Sequence, residues 1–424
     1  MIAFEDAVDC VLQACGRLPA ERVALTEALG RVTAGEIRSP VDLPSFDNSA
    51  MDGFALCTDG HGIPAGREFA VGGEQVAGDG VRHADRGRAC SIMTGARLPD
   101  GLDAIVPVEQ VDVFERNADA RPTRIRLAAA VAPGQHLRRA GEDIAAGALA
   151  LPAGHWIGAN ELMLLAGLGL AQVDAVRRPR VALLSTGREL VDDPARPLQP
   201  GQIRNSSAPF LAARVPAAGG EVVLRATVPD EPARFAAALE QAAGGGAQLV
   251  LSTGAVSMGR FDFIPEVLRS LGAEILFHKV AMRPGKPLLF ARLPGGALFF
   301  GLPGNPVSSV VGLRFFVEPA MRAMLGLPRE RGWRLPLMHD ASKKPGFRLH
   351  QKARLQLGAT GRLGVELLPG QESFRTRPLI DSTVWAALPA DREALAAGDI
   401  VDVFPLAHEA GVALGPQATG AASP

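Results

Sequence analysis

The chain contains no tyrosine and few other aromatic residues, so it has little material for a surface that stacks nucleic-acid bases. Its 424 residues include 3 tryptophans and 18 phenylalanines, whereas proteins hold single-stranded nucleic acid on exposed aromatic side chains. The chain also has no large excess of positive or negative charge, because 44 basic and 45 acidic residues give a formal net charge of −1. A nucleic-acid partner normally requires a basic patch, so we expect none, and any anion site must be local.

Cysteine and long apolar stretches are scarce as well. The four cysteines, at positions 10, 15, 57 and 90, form no CxxC pair, which argues against zinc and favours small buried thiols in a reducing compartment. No apolar stretch reaches the roughly 18 residues that span a membrane, and the N-terminus is acidic, unlike a signal peptide. These absences predict a cytoplasmic protein of about two to four domains, with no membrane partner.

What the sequence does contain is a dense polar segment over residues 44–55. Asp47, Asn48, Ser49 and Asp52 follow one another closely there. Such a segment cannot be buried as an ordinary strand without leaving polar groups unpaired, and polar loops often carry function. Turn and cap formation explains the same residues about equally well.

Two glycine-rich loops follow predicted strands further along the chain. Residues 301–306 (GLPGNP) precede a long helical pattern, and residues 252–259 (STGAVSMG) follow the apolar run 249–251. Neither contains GxxxxGK[ST] or GxGxxG, but a loop between a strand and a helix directs backbone N–H groups and the positive helix end toward an anion. With the basic turn 283–287 (RPGKP) between them, they predict a phosphate or oxyanion site.

Residues 178–327 alternate between strand and helix patterns, which predicts a mostly parallel sheet covered on both faces. Strands are expected at 181–184, 221–224, 248–252, 274–281, 287–291 and 297–300, and helices at 206–215, 232–243, 262–271 and 305–325. Ligands bind beyond the carboxyl ends of the strands in such sheets. The loops that leave these ends are 185–189, 252–259 and 301–306.

The rest of the chain is predicted to form smaller units. Residues 4–15 have the spacing of an amphipathic helix. Residues 56–145 are rich in glycine and short valine-bearing runs, and 146–177 return to a helical pattern. From residue 328 onward, short alternating runs indicate a small β barrel, and the small polar residues at the end are expected to fray.

Seven segments together resemble the molybdopterin molybdenumtransferase family, the enzymes related to the gephyrin E domain. They occur in the family's order and are FDNSAMDGFA (46–55), IMTGARLP (92–99), RRAGEDI (138–144), LLSTGREL (183–190), STGAVSMGRFD (252–262), RPGKP (283–287) and GLPGNPVS (301–308). The resemblance implies an enzyme of molybdenum cofactor biosynthesis. Such an enzyme uses Mg²⁺ to insert molybdate into adenylylated molybdopterin, releasing AMP and the mature cofactor.

The resemblance also implies an α/β multidomain architecture. Its parts are a doubly wound molybdopterin-binding α/β domain with a mostly parallel sheet (1–26 plus 178–327), an elongated linking domain (27–44 plus 146–177), an inserted small β domain (45–145), a C-terminal β barrel (328–408) and a flexible tail (409–424). An elongated homodimer is implied, in which the 45–55 loop of one subunit completes the site of the other. The implied partners are a molybdopterin adenylyltransferase upstream and molybdoenzyme apoproteins or their chaperones downstream.

Matching positions supply the candidate catalytic residues. These are Asp52, Glu189, Asp230 and Asp262, and the candidate Mg²⁺ ligands are Asp230 and Asp262. The ion takes one or two carboxylates together with waters and phosphate oxygens. Taken singly, Asp230 and Asp262 are better explained as helix caps, and Glu189 as part of a first helical turn.

Further matching positions supply the candidate substrate-binding residues. They are Thr94, Arg138, Asp143, Ser257, Arg283, Lys286, Pro303, Asn305, Pro306, Ser308 and Ser373. Molybdate is a tetrahedral dianion, so Lys286, serine hydroxyls and backbone N–H groups can hold it as they hold phosphate. The alternative explanation for Asp143 is an ion pair with Arg138 or Arg139, and for Ser308 it is helix capping.

Four positions depart from the family pattern. Phe54 stands where tyrosine is usual, Arg188 where an acid is common, Ala255 where a second glycine is usual, and Arg283 where lysine is usual. Two functions from other classes remain open. One is a gephyrin-like scaffold, which has no need of Asp230 and Asp262, and the other is a dinucleotide pyrophosphate hydrolase without metal transfer.

Overall fold

The computed structural model of the chain describes residues 1–255, 263–358 and 361–407. Two candidate site residues, Ser257 and Asp262, and the predicted tail 409–424 lie outside the described residues. Within them, the α-helices are α1 Phe4–Ala14, α2 Ala159–Gly167, α3 Ser207–Ala217, α4 Pro232–Gly244, α5 Ile264–Ser270, α6 Pro306–Gly312, α7 Glu318–Met324 and α8 Arg377–Asp381.

The strands of the described part form three large sheets and several two-stranded ones. In chain order they are β1 Ala20–Ala24, β2 Ile37–Arg38, β3 Asn48–Ser49, β4 Gly53–Leu56, β5 Glu68–Gln75, β6 Ala89–Ile92, β7 Ala104–Pro107, β8 Val111–Arg116, β9 Pro122–Leu127, β10 Leu137–Arg138, β11 Leu149–Leu151, β12 Gln172–Val176, β13 Arg180–Thr186, β14 Leu190–Val191, β15 Ile203–Arg204, β16 Glu221–Val228, β17 Leu249–Thr253, β18 Glu274–His278, β19 Met282–Arg283, β20 Leu289–Arg292, β21 Leu298–Leu302, β22 Trp333–Pro336, β23 Ala341–Ser342, β24 Arg348–Leu357, β25 Leu363–Leu367, β26 Val384–Leu388, β27 Ala394–Leu395 and β28 Ile400–Pro405.

The central sheet has the strand order β16-β13-β17-β21-β20-β18. Strands β16, β13, β17 and β21 run parallel to one another. Strand β20 is antiparallel to both of its neighbours, so it alone runs against the rest of this sheet. The predicted α/β class with a mostly parallel sheet is confirmed.

Helices cover both faces of the central sheet because alternate strand residues point to opposite sides. Val181 and Leu183 share one core with α1, α3 and α6, while Ala182 and Leu184 share the other core with α4 and α5. This arrangement brings the loops at the carboxyl ends of β13, β16, β17 and β21 to one edge of the sheet.

The predicted helix 305–325 is not one regular α-helix. Between α6 and α7 lies a π-helical stretch, Leu313–Val317, whose residues are all buried. Arg314 in this stretch donates to both carboxylate oxygens of Glu330 at 2.8 and 2.7 Å and to the Pro405 carbonyl at 3.0 Å. Short π-helical stretches inside α-helices carry no simple sequence signature, so helical periodicity did not reveal it.

A second six-stranded sheet, β7-β4-β6-β5-β9-β8, lies within residues 53–127. Its apolar core includes Phe54, Leu56 and Ile125, which matches the β-rich pattern of this region. A separate small core combines segments distant in sequence, since β1 pairs with β12 and Val23 packs with Leu165 of α2.

The C-terminal strands form a sheet that curls back on itself. Its order is β19-β24-β26-β28-β22, and β25 pairs with β24. A bridge between Leu337 and Val365 joins the segment after β22 to β25, and the Met338 N–H donates to the Val365 carbonyl at 2.9 Å. This contact between the two ends of the sheet gives the barrel-like closure that the sequence predicts.

Helix α1 packs on the central sheet although it comes from the start of the chain. Ala7, Val8 and Val11 belong to the same core as β13 and α3. Phe4 is the first residue of α1, and the centroid of its ring lies 4.8 Å from that of His350 in β24. Helix α1 therefore also contacts the C-terminal sheet.

The structure also describes the four cysteines and the lengths of the helices. Cys90 is buried and the other three cysteines are half-buried, and all four are free. In the described part of the chain, no helix has the length and apolar character needed to cross a membrane.

Candidate functional site

A large cavity opens where the carboxyl ends of the parallel strands meet. It has a volume of about 830 Å³, and its walls come from the loops after β13, β16, β17 and β21, the segment 203–207 and Phe374. It brings together five of the candidate residues: Glu189, Asp230, Pro303, Asn305 and Pro306. The cavity lies at the edge of the sheet where the sequence predicts the site.

Close packing of the loops shapes one wall of this cavity. Gly254 has a φ of +95°, and a Cβ there would lie 2.6 Å from the Thr186 carbonyl oxygen. The α-carbon of Gly254 in turn lies 3.6 Å from the position that a Cβ on Gly304 would occupy. Only glycine tolerates both the conformation and the contact, so three loops approach each other without side chains between them.

Asp230 connects the loop after β16 to the loop after β13. Its Oδ2 accepts a hydrogen bond from the backbone N–H of Arg188 at 3.2 Å. Helix α4 begins at Pro232 with Glu231 at the capping position, and no side chain caps it. The structure therefore does not support the helix-cap explanation for Asp230.

Glu189 does not lie in the first turn of a helix, which is where the sequence pattern alone would put it. The turn that contains it leads into β14, which pairs with β15, rather than into a helix. A Cβ on Gly187 would lie 2.8 Å from both Glu189 carboxylate oxygens. The carboxylate is thus folded back over the glycine of its own turn and lines the same cavity as Asp230.

A second cavity, of about 420 Å³, adjoins the first through Asn305, which lines both. The candidate residues in its wall are Arg283, Lys286, Asn305, Ser308 and Ser373. Ser308 is buried inside the first turns of α6, where Asn305 holds the capping position, so Ser308 is not a helix cap. The wall also contains Glu372, but two cations, hydroxyl groups and amides outnumber this one carboxylate and suit an oxyanion.

The Phe347 ring supports both cations of this second cavity. The Arg283 guanidinium lies 4.6 Å and the Lys286 ammonium 5.6 Å from the ring centroid. Both distances are in the range of cation–π attraction. Arginine stacks on aromatic faces more readily than lysine, which gives a local reason for Arg283 where the family usually has lysine.

A loop at residues 370–375 contributes to both cavities. The buried Lys352 ammonium donates to the carbonyls of Gly370 at 2.6 Å, Arg375 at 3.1 Å and Glu372 at 3.4 Å. Burial lowers the pKa of Lys352. The Ser373 carbonyl accepts the Val307 N–H at 3.0 Å, which joins the loop to the start of α6.

Asp52 and Thr94 contact each other, but they lie in the sheet of residues 53–127 and its loops. The Asp52 Oδ1 accepts the Thr94 N–H at 2.7 Å and the Thr94 hydroxyl at 2.9 Å. These two bonds lower the pKa of Asp52. Within the described ranges, neither residue lines the two cavities.

Arg138 and Asp143 also lie apart from the described walls of the cavities. Arg138 lies in β10, opposite Asn48 of β3. The neighbouring Arg139 donates to Asp47 at 2.9 Å and does not pair with Asp143. These residues form a connected polar surface around residues 47–52 and 138–143.

Several cavity residues have no counterpart among the sequence predictions. Asn205 Oδ1 accepts the Ala208 N–H at 3.1 Å at the start of α3, and its amide donates to Asp192 at 2.9 Å. The polar run Asn205-Ser206-Ser207 before a helical pattern was the available signal. Phe374 gave no signal, because it is a single aromatic residue in an irregular segment, and the same holds for Phe347, which contacts the two cations of the second cavity.

Three family models match consecutive parts of the chain. They describe the MoeA N-terminal region (domains I and II) over residues 2–169, a probable molybdopterin binding domain over 182–323 and the MoeA C-terminal region (domain IV) over 334–406. The second model contains the loops that form both cavities, and the third contains Phe347 and the 370–375 loop.

Named relatives match nearly the whole chain. A molybdopterin molybdenumtransferase of Synechococcus elongatus is 41% identical over 411 residues, which cover 95% of this chain and 99% of the relative. The chain belongs to the molybdopterin molybdenumtransferase family. A member from Haemophilus influenzae is 35% identical over 395 residues, covering 92% of this chain and 94% of its own.

Solved structures agree with this assignment. The molybdopterin biosynthesis moeA protein of Pyrococcus horikoshii OT3 superposes with a TM-score of 0.77 at 26% identity, covering 96% of this chain and 100% of that chain. The arrangement of sheets described above is therefore the architecture of the family.

Proposed function

We propose that this chain inserts molybdate into adenylylated molybdopterin in a Mg²⁺-dependent reaction that releases AMP and the molybdenum cofactor. The observation that carries the proposal is the pair of adjoining cavities. One is large and lined by three carboxylates, two arginines and glycine loops, and the other is smaller and lined by two cations and one carboxylate. Two cavities suit two substrates, one that bears a nucleotide and one that is an oxyanion. The name of the relatives and the family assignment fit this interpretation.

The large cavity suits the adenylylated pterin. Its volume of about 830 Å³ lies within the usual range for small-molecule sites. The loop 303–306 leads into α6, so backbone N–H groups and the positive helix end favour the phosphates. Gly254 and Gly304 let the loops of this cavity pack against one another because they carry no side chains.

The acids of this cavity fit Mg²⁺. Asp230 and Glu189 both line it, and the Arg188 N–H occupies one oxygen of Asp230, which orients the other. We assign Asp230 and Asp262 as ligands, Asp262 lying outside the described residues. Bound Mg²⁺ would neutralise the pyrophosphate charge and assist its cleavage. No group of three metal-binding side chains occurs in the described ranges, and one or two carboxylates are enough for this ion.

The small cavity suits molybdate. Arg283 and Lys286 supply positive charge, and Ser308 and Ser373 supply hydroxyl donors on the same cavity wall. We propose that these residues hold the dianion beside the pterin, where the soft dithiolene sulfurs can take over the metal. Ser257 is proposed as a further donor, and Pro303, Asn305 and Pro306 as contacts where the two cavities meet.

A pyrophosphate hydrolase without metal transfer accounts for the large cavity alone. It gives no role to a second cavity with two cations. A scaffold accounts for neither the carboxylates nor the cations, because clustering a partner does not require them. We therefore favour the transferase over both alternatives.

We further propose a cytoplasmic homodimer in which Asp52 and Thr94 of one subunit reach the cavity of the other, with Arg138 and Asp143 beside them. A molybdopterin adenylyltransferase would supply the substrate, and molybdoenzyme apoproteins or their chaperones would receive the product. The exposed position of Asp52 on its own chain supports this arrangement, because its carboxylate is available to a second molecule.

The test is molybdate-dependent AMP release by the Asp230→Asn variant. Asparagine retains the size and one oxygen of the side chain but is a poorer ligand for a hard dication. We expect turnover to fall by about 10²-fold or more, with an unchanged midpoint of thermal unfolding. Near wild-type turnover at saturating Mg²⁺ would refute the metal role of Asp230.

Lys286→Ala provides the contrast within the same assay. The molybdate concentration for half-maximal turnover should rise, because a charge-assisted contact is lost, while the Mg²⁺ dependence stays the same. AMP release that does not depend on molybdate in the wild-type protein would instead support the hydrolase.

A further inference from the structure

Phe374 is an exposed aromatic side chain on the wall of the large cavity. The residue is 64% exposed, and among the described residues it is the one aromatic that lines this cavity. The remaining wall consists mainly of glycine, proline, acidic, amide and hydroxyl-bearing residues. The other non-proline apolar residues of this wall are the aliphatic Leu190, Ile203 and Ala255, so Phe374 supplies its one planar apolar face among the described residues.

The backbone around Phe374 is fixed on both sides. The Lys352 ammonium binds the carbonyls of Glu372 and Arg375, which flank the Ser373–Phe374 pair. The Gln371 side chain donates to the carbonyls of Lys352 and Leu368 at 2.8 and 2.7 Å. The loop therefore holds Phe374 in one place, in contrast to a side chain on an untethered loop.

The ring itself has one supported face. The Arg375 guanidinium lies 5.8 Å from the ring centroid, and it is held there by Glu372, whose carboxylate is 3.1 Å away. The high exposure of the residue leaves room for a second planar group. Aromatic rings prefer offset-stacked partners, and planar nitrogen heterocycles stack on them irrespective of sequence or substituent pattern.

We propose that Phe374 is the stacking platform for a planar nitrogen heterocycle of the substrate. This inference rests on the proposed function, since the adenylylated pterin brings two such rings, adenine and the pterin. The loops after β13, β17 and β21 then hold the charged middle of the substrate, and Phe374 fixes one of its ends.

The test is calorimetric titration of the full-length protein with three probes: AMP, neopterin and ribose 5-phosphate. The variants are Phe374→Ala and Phe374→Trp. The control variant is Ile380→Ala in α8, because Ile380 is also highly exposed, at 78%, but does not line the cavity in the described part of the chain.

Phe374→Ala should weaken binding of one heterocyclic probe by roughly 5- to 100-fold, while Phe374→Trp retains it. Ribose 5-phosphate, which lacks a ring system, should bind all variants alike. Loss confined to AMP identifies adenine as the stacked ring, and loss confined to neopterin identifies the pterin.

Equal affinity of wild type and Phe374→Ala for both heterocycles would overturn the stacking role and leave the proposed reaction intact. A wild-type protein that binds neither heterocycle would also overturn it. Failure of the proposed reaction is recognised separately, by AMP release that is independent of molybdate.

Discussion

Ala255 has a backbone conformation that favours glycine. Its φ is +51°, a left-handed conformation that costs a residue with a Cβ roughly 1–2 kcal/mol. The family usually has glycine at this position, which adopts the conformation freely. The neighbouring Gly254 makes the closest backbone contact, and the alanine adds strain on the cavity wall.

His350 is the most completely buried titratable side chain of the aromatic cluster between α1 and the C-terminal sheet. It is 1% exposed, and neither ring nitrogen has a hydrogen-bond partner among the described residues. The Phe315 ring lies 4.0 Å from it. Burial, followed by the charges of Arg348 and Arg314, lowers the pKa of His350 well below its usual value.

This burial predicts a loss of stability in mild acid. Because the folded pKa lies below the unfolded value of roughly 6.5, the unfolded chain takes up the proton first. The contribution of neutral His350 is complete above that pH, and the free energy of unfolding falls below it by about 1.4 kcal/mol per pH unit. His350→Phe should remove this part of the slope in urea unfolding between pH 8 and pH 5.

The control is the same substitution at His61, which lies on the surface. His61→Phe should leave the pH dependence of unfolding as it is in the wild type. Identical slopes for wild type and His350→Phe would show that the buried imidazole does not account for acid sensitivity.

At the level of secondary-structure elements, the hydrophobic periodicity predicts best those helices and strands that bury a face with a fixed repeat. Helices α1, α3 and α4 and strands β13, β17 and β21 lie close to their predicted positions, because each has a buried face with a fixed repeat. The π-helical stretch and the short strand after Glu189 were missed, since buried ion pairs and turn geometry determine them. The positions of Glu189 and Asp230 after predicted strands can be read from the sequence, but their proposed roles come from the family resemblance. The contacts of Lys352 and Phe347 join distant segments, so the sequence gives no local signal for them.

Phe347 lies in the segment between β23 and β24, and its ring contacts Arg283 and Lys286. Phe347→Leu removes both cation–π contacts, each worth about 0.5–1 kcal/mol at an exposed site. The molybdate concentration for half-maximal AMP release should therefore rise about 3- to 10-fold, while turnover at saturating molybdate and the Mg²⁺ dependence change little. Phe347→Trp should preserve the wild-type value.

Phe114 offers a matched control in the sheet of residues 53–127. Its ring also supports two arginines, Arg124 at 5.3 Å and Arg126 at 5.5 Å, but it lines neither cavity in the described part of the chain. A shift in molybdate dependence with Phe114→Leu of the same size as with Phe347→Leu would mean that the effect is not local.

At the scale of the whole molecule, the candidate residues fall into two groups on one chain. Glu189, Asp230, Lys286 and Ser373 surround the adjoining cavities, whereas Asp52 and Thr94 belong to the other group. Three large apolar side chains near Asp52 are exposed, namely Phe46, Met51 and Met93. Apolar side chains clustered on a surface commonly mark a contact with another protein, and the proposed second copy of the chain would bring the two groups together.

A homodimer with shared sites makes a quantitative prediction for mixed subunits. Asp52→Ala and Asp230→Ala should each be nearly inactive as homodimers. After equimolar mixing and complete exchange, about half of the dimers are mixed, and each mixed dimer has one site with both acids intact. AMP release should then recover to about a quarter of the wild-type rate, measured after differently tagged subunits have been shown to co-purify. If all the acids of a site came from one chain, exchange would restore nothing, because every chain in the mixture would still lack one of them.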